Sequence, residues 1–257
     1  MRIGLMAVTL PALERVADLG FDLVHNYHHG YWSEMNTLDT YFDTCQKLGL
    51  KVICSVPASL CTFTNSSWHG EGIAQIEHIK DHPALAGWYM ADEPEIDQAL
   101  TPSWFAEIHA FLLDAASIIP NRYVATCRLR PHLGRYPYPG SHYLWSSYPI
   151  GRWKPGGVAW GSLAWEMMRR RYHSPQRPVY PIIQTHDTGR WVAEPYREPS
   201  EREMAWMCWH ARKSEEVWFF PGMAQEVRHP KYCHLDYDIT RPGRASDFAR
   251  WLRYLGR

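Results

Sequence analysis

Short apolar runs alternate with amphipathic stretches of helical period along the whole chain, and this alternation constrains the fold most. The predicted strands cover Ile3–Val8, Phe21–Tyr27, Lys51–Val56, Ala86–Ala91, Tyr123–Arg128, Tyr143–Tyr148, Val179–Thr185 and Glu216–Phe220. The predicted helices cover Leu10–Leu19, Leu38–Leu48, Gly72–Lys80, Trp104–Ile118, Val158–Arg171, Glu201–Lys213 and Ser246–Leu255. Eight strands with intervening helices in 257 residues predict an α/β fold, a single (β/α)8 barrel domain over residues 1–257.

Two segments refine the barrel prediction. His132–Ser141 is rich in Pro, Gly and Tyr, so a long loop is expected to replace or shorten the helix between strands five and six. A doubly wound open sheet is the competing fold, but it needs a glycine-rich phosphate turn after the first strand. The sequence there is Val8-Thr9-Leu10-Pro11, which favours the barrel.

Charge and cysteine usage narrow the classes of function. Lys plus Arg and Asp plus Glu both number 27, so neither nucleic acid nor an anionic membrane is an expected partner. The six cysteines form no CxxC pair, and Cys45, Cys54 and Cys208 fall inside predicted elements as small hydrophobes. No apolar run reaches the roughly 18 residues of a membrane span, and the apolar run after Met1 is shorter than we expect of a signal peptide. We expect a cytoplasmic protein, although a mature secreted domain with an added Met1 would look the same.

A barrel builds its site from residues at the carboxyl ends of its strands, so polar and aromatic side chains there are the candidates. They are His25 and Tyr27 after the second strand, Asp92, Glu93 and Glu95 after the fourth, Arg128 after the fifth, Tyr148 after the sixth, Gln184, His186 and Asp187 after the seventh, and Trp218 and Phe220 on the eighth. The aromatic rings suit a half-wet cleft for sugars, and an arginine at a strand end would bind an anionic group such as a uronate carboxylate.

The fourth strand ends in Gly87-Trp88-Tyr89-Met90-Ala91-Asp92-Glu93-Pro94, which releases two adjacent carboxylates beside aromatic rings. Cleavage of a glycoside needs a carboxylic acid that stays protonated near neutral pH, and burial beside Trp or a second carboxylate favours that state. Glu93 is therefore the predicted general acid. The alternative is that the acids form a solvated start of the next helix, whose dipole favours negative charge.

This segment resembles the glycoside hydrolases with (β/α)8 barrels, above all the clan whose fourth strand ends in Asn-Glu-Pro. The resemblance implies cleavage of glycosidic bonds in an oligo- or polysaccharide, with Glu93 as general acid and Asp92 beside it, orienting the substrate or tuning the acid. The clan's aromatic platform on the eighth strand matches Trp218. The implied partner is a carbohydrate substrate, and nothing implies an organic cofactor.

The sequence departs from this clan at the seventh strand, where the clan carries its nucleophilic Glu and this chain carries Gln184. An amide cannot form a glycosyl-enzyme ester. Three outcomes stay open: Asp187 activates a water in an inverting mechanism, Asp92 or Glu95 pairs with Glu93, or the barrel binds sugar without cleaving it.

Histidines near the second strand support a rival function. His25, His28 and His29, with Glu34, are residue types that ligate zinc or manganese, which would suit a metal-dependent lyase, isomerase or hydrolase. The first strand, however, ends without the His-x-His of metal-dependent hydrolase barrels. Histidines that lie in a loop or contact sugar are the favoured interpretation, and no metal site is predicted.

Overall fold

Eight parallel strands close into a barrel in the computed structural model of the protein, which describes residues 1–6, 8–26, 35–55, 74–92, 121–126, 141–146, 178–185, 199–220 and 244–257. The strands are β1 (Arg2–Leu5), β2 (Leu23–Asn26), β3 (Lys51–Ser55), β4 (Leu85–Asp92), β5 (Asn121–Thr126), β6 (Ser141–Ser146), β7 (Val179–Gln184) and β8 (Glu216–Phe220). Each pairs with its successor in the chain, and β8 pairs with β1. The predicted barrel is confirmed.

The strands β5 and β6 begin two residues earlier than predicted. The prediction placed each start at the first apolar residue, but the hydrogen-bonded ladder already includes the pair Arg122 and Ser141. Backbone pairing does not require an apolar side chain, which is why hydrophobicity alone placed the starts of both strands too late. Ser141 therefore belongs to β6, while the rest of the predicted long loop lies outside the described residues, as do the helices predicted over 104–118 and 158–171.

Helices on the outside of the barrel begin and end at recognisable signals. They are α1 (Leu13–Asp18), α2 (Met35–Lys47), α3 (residues 74–79), α4 (Glu201–Ala211) and α5 (Arg244–Leu255). A capping pair starts α4, in which Glu203 accepts hydrogen bonds from the backbone and hydroxyl of Ser200, both at 2.8 Å. Gly49 follows α2 with a φ of 74°, a left-handed conformation that glycine adopts at low cost.

Alternate side chains along the strands divide the core into two layers. Outward residues such as Val24, Trp88 and Phe219 pack with the helices. Inward residues fill the barrel, namely Met6, Leu23, Ile53, Tyr89, Leu144, Tyr180, Ile182 and Trp218. Within the described part of the chain, no helix is long and apolar enough to cross a membrane.

The buried cysteines behave as the sequence predicts for small hydrophobes. Cys45, Cys54 and Cys208 are free thiols in the core. Burial raises the pKa of the Cys45 thiol to about 12 and that of the Cys54 thiol well above its ordinary value. These thiols are therefore protonated and poorly nucleophilic in the folded protein.

A polar network lies inside the barrel at the amino ends of β1 and β8. Glu216 is fully buried there and accepts a hydrogen bond from Arg2 and another from the Trp218 indole N–H, each at 2.6 Å. The Trp218 ring lies against the Gly4 backbone, where an added Cβ would come within 2.5 Å of ring atoms Cδ2 and Cε3. Burial, and after it the Glu216 charge, raises the pKa of Tyr180 to about 12.

Candidate functional site

A hydrogen-bonded cluster lies at the carboxyl ends of β2 and β3. The Ser55 hydroxyl lies 2.8 Å from the Asn26 carbonyl, to which it donates, and 2.9 Å from Nε2 of His25. A hydroxyl has one proton to give, and the carbonyl receives it, so Ser55 accepts its other bond from His25. His25 therefore carries a proton on Nε2, and the bond fixes the orientation of its ring.

The same histidine packs against β4. Its ring lies 4.1 Å from the ring of Tyr89, centroid to centroid, and Ser55 is the β3 residue in register with Tyr89. His25, Ser55 and Tyr89 are all buried, at 0%, 7% and 5% exposure. The three side chains thus form a rigid floor beneath the strand ends, and His25, predicted to contact substrate, lies within this floor.

The pairing of β4 with β5 is irregular just before the acidic segment. Tyr89 pairs with Tyr123 and Ala91 with Val124, so β4 carries one extra residue. Such bulges re-aim a strand and recur beside active sites. Asp92, described through its backbone, is the last residue of β4 and stands at the carboxyl edge of the barrel.

On the other side of the barrel mouth, Thr185 ties β7 to β8. Its backbone N–H and its hydroxyl donate to the Phe220 carbonyl at 3.2 and 2.9 Å. Gln184 ends β7 in register with Phe220, and its backbone alone is described. Phe220 is partly exposed and packs against the inner core, so it is an aromatic group available at this edge.

The structure corrects the role predicted for Trp218. A stacking platform needs an open ring face, but the Trp218 side chain has no exposed surface. Its indole fills the barrel against Gly4 and donates to Glu216 below it. Trp218 is therefore a packing residue of the barrel interior, two residues deeper than Phe220.

Most of the predicted site residues lie outside the described residues and stay predictions. They are Tyr27, Glu93, Glu95, Arg128, Tyr148, His186 and Asp187, together with His28, His29 and Glu34 of the metal alternative. In the described ranges, no group of three or more His, Cys, Asp or Glu side chains is arranged to hold a metal ion. The bond from His25 Nε2 to Ser55 occupies one of the two ring nitrogens through which a histidine can ligate a metal.

Ser55 is a site residue that the sequence did not reveal. Each member of the floor follows an inward residue by two positions: His25 follows Leu23, Ser55 follows Ile53, and Tyr89 follows Gly87. That period was readable along each strand. The register between strands, which brings the three together, was not.

Comparisons with known proteins bear on the fold. No protein-family model matches the sequence, and no curated protein matches it. A glycoside hydrolase of known structure is similar with a TM-score of 0.62 at 13% identity, covering 98% of this chain and 69% of that one. An endo-beta-1,4-mannanase from Thermotoga petrophila has a TM-score of 0.57 at 12% identity, covering 99% of this chain and 76% of its own.

A solved structure described by a different activity is similar to a comparable degree. A xylose isomerase domain protein from Alicyclobacillus acidocaldarius has a TM-score of 0.59 at 11% identity, covering 99% of this chain and 98% of that one. At such identities the likeness shows the fold alone, a (β/α)8 barrel of the kind that glycoside hydrolases use. Function has to be argued from the site.

Proposed function

We propose that this protein is a glycoside hydrolase-like enzyme that cleaves glycosidic bonds in an oligo- or polysaccharide, with Glu93 as the general acid. The observation that carries the proposal is the end of β4, where a bulge precedes Asp92 as the last strand residue. Glu93 follows Asp92 in the sequence. The glycoside hydrolases among the structural neighbours add support, because the same barrel serves that chemistry in them.

The absence of a carboxylate at position 184 favours hydrolysis in a single displacement. Glu93 would donate its proton to the glycosidic oxygen as the bond to the anomeric carbon breaks. Asp187 would accept a proton from a water molecule as the water oxygen bonds to that carbon from the opposite face. Asp92 would orient the substrate or, as a neighbouring carboxylate, help keep Glu93 protonated.

The described floor would position this acid. Tyr89 lies three residues before Asp92 on the same strand, and the ring of His25 packs on it. His25 is held in turn by Ser55. Locked side chains beneath a site keep the reacting groups within the narrow range of geometry that catalysis requires. We assign His25 a positioning role.

Substrate contacts are proposed for residues at the strand ends. Gln184 and His186 would hydrogen-bond sugar hydroxyls, Phe220 and Tyr148 would pack on the sugar ring, and Arg128 would bind an anionic substituent. Tyr27 and Glu95 complete the proposed set.

The test is a reducing-sugar release screen on diverse polysaccharides. Wild type is compared with Glu93→Gln and Asp187→Asn, and with Glu14→Gln as a matched control on the exposed surface of α1. We expect release by wild type and Glu14→Gln and a loss of at least about a hundredfold in the other two. Proton NMR of the first-formed anomer should show inversion. Full activity in Glu93→Gln would refute the assignment, and binding without release would indicate a non-catalytic barrel.

A second candidate is a metal-dependent isomerase using the region of His25, His28 and His29. The likeness to the xylose isomerase domain protein favours it. Metal analysis of protein purified without added metal, followed by an aldose–ketose assay with and without chelator, separates the two functions. Activity that is lost on chelation and restored by a divalent cation would establish the isomerase.

A further inference from the structure

The outer face of α4 carries two tryptophans that lie outside the hydrophobic core. Trp206 and Trp209 are each 47% exposed, and with Met1 they are the large hydrophobic side chains left exposed among the described residues. The opposite face of α4 supplies the core contacts through Met204, Met207 and Cys208. An exposed apolar patch that is rimmed by polar groups marks an interaction site.

Cationic groups surround these rings. The Arg212 guanidinium lies 4.8 Å from the centroid of the Trp209 ring, and the Lys213 ammonium lies 5.9 Å from it. The His210 ring lies between the two tryptophans, 5.5 Å from Trp206 and 4.7 Å from Trp209. Arg202 is exposed one helical turn before Trp206.

The acids of α4 form hydrogen bonds and ion pairs with groups other than Arg212 and Lys213. Glu201 binds Arg250 and Tyr254 of α5, and Glu203 caps the helix through Ser200. In the part of the chain that the structure describes, no carboxylate forms an ion pair with Arg212 or Lys213. The face is therefore complementary to an anionic partner that also offers apolar surface.

We propose that this aromatic–cationic face (Arg202, Trp206, Trp209, His210, Arg212 and Lys213) binds an acidic polysaccharide, a glycan chain bearing uronate carboxylates. The choice of a glycan over an acidic peptide rests on the proposed function. The C–H faces of pyranose rings would pack on the tryptophans, and the carboxylates would bind the guanidinium and ammonium groups.

The geometry suits a chain with a repeating ring. Residues at i and i+3 on a helix have Cβ atoms about 5–6 Å apart, a separation similar to that of consecutive sugars. Arg212 is already stacked on Trp209, so its N–H edges are pre-ordered for a carboxylate.

This surface is separate from the proposed catalytic end. Lys213 lies three residues before β8 begins at Glu216, at the amino end of that strand, whereas the proposed acid follows the carboxyl end of β4. A chain held here would keep a polymeric substrate beside the enzyme without entering the barrel mouth.

Affinity electrophoresis in gels containing polygalacturonate tests the proposal. We expect Trp206→Ala/Trp209→Ala and Arg212→Gln/Lys213→Gln each to weaken binding by about tenfold or more, as truncation of interface anchors does. Lys47→Gln/Arg253→Gln removes two exposed cations from other helices and should bind like wild type. Unchanged melting temperatures would show that all variants are folded.

Two further arms separate this proposal from the function proposed above. Glu93→Gln should be retarded by polygalacturonate as strongly as wild type, so the surface site stands even if no glycosidase activity is found. Equal retardation of wild type and the tryptophan variant would overturn the proposal. Tighter binding to polyglutamate than to polygalacturonate would also overturn it, in favour of a docking face for acidic peptides.

Discussion

The indole of Trp218 occupies the space that any side chain at position 4 would need. A Cβ on Gly4 would lie 2.5 Å from two ring atoms of Trp218, closer than real Cβ contacts come. The ring is fully buried and also bonded to Glu216, so it has little freedom to move away. The packing of Trp218 on β8 therefore requires that position 4 of β1 is a glycine.

We expect Gly4→Ala to lower the free energy of unfolding by about 1–3 kcal/mol through overpacking. Urea denaturation of Gly4→Ala, Trp218→Leu and the double variant measures the coupling between positions 4 and 218. In the double variant, the smaller leucine should recover much of the unfolding free energy that Gly4→Ala loses. Gly20→Ala is the control: it meets open space and strains only a positive φ of 87°. A purely additive double variant would show that the two positions do not interact.

Loss of Arg2 should leave the buried Glu216 carboxylate without this cationic partner. Glu216 is 0% exposed and Arg2 is its cationic partner. We expect Arg2→Met to destabilise the protein by about 1–3 kcal/mol, because the buried Glu216 carboxylate loses a charged hydrogen-bond donor. Arg2→Met/Glu216→Gln should recover part of this loss in the same denaturation assay. A double variant less stable than Arg2→Met would contradict this account.

The raised pKa of Tyr180 predicts how the free energy of unfolding changes at alkaline pH. Its folded pKa is about 12 against an ordinary value of 10, so between these values the unfolded chain has lost a proton that the folded chain keeps. The stabilising contribution is complete below pH 10 and disappears as the pH rises through 12. In Tyr180→Phe, we expect the alkaline fall in unfolding free energy to be shallower by up to about 1.4 kcal/mol per pH unit. An identical pH profile for the two proteins would exclude this linkage.

Ser55→Ala tests the floor of the site. The substitution removes the acceptor of the buried His25 Nε2–H, so we expect a loss of about 1–3 kcal/mol in unfolding free energy. If His25 positions the β4 end, kcat on any cleaved glycan should fall more than KM changes. Ser55→Thr keeps the hydroxyl and is the matched variant. If Ser55→Ala loses stability but keeps its kcat, the floor stabilises the fold and does not position the catalytic groups.

Much of the barrel was predictable, because alternating strands and helices leave a periodic signal that does not depend on register. The bounds of β8 agree with the prediction at both ends. The extent of β5 was misplaced because its first residues are polar, although they pair in the ladder. That one barrel accounts for the entire chain stays a prediction.

The candidate site was harder to predict, for reasons visible in Trp218 and Ser55. The period of two assigns Trp218 and Phe220 to one face but does not say which layer of the barrel each occupies. Two residues correspond to about 6–7 Å along a strand, which separates a packed core from an open edge. Ser55 meets His25 only because β2 and β3 pair in one particular register.

The packing at the amino end of the barrel has a consequence for how substrate and product enter and leave. Trp218 and Glu216 are fully buried inside the barrel, and Arg2 pairs with Glu216 at the amino end of the strands. We therefore expect a molecule that enters between the carboxyl ends of the strands to leave through the same opening. Departure of products and arrival of the next substrate then share one opening.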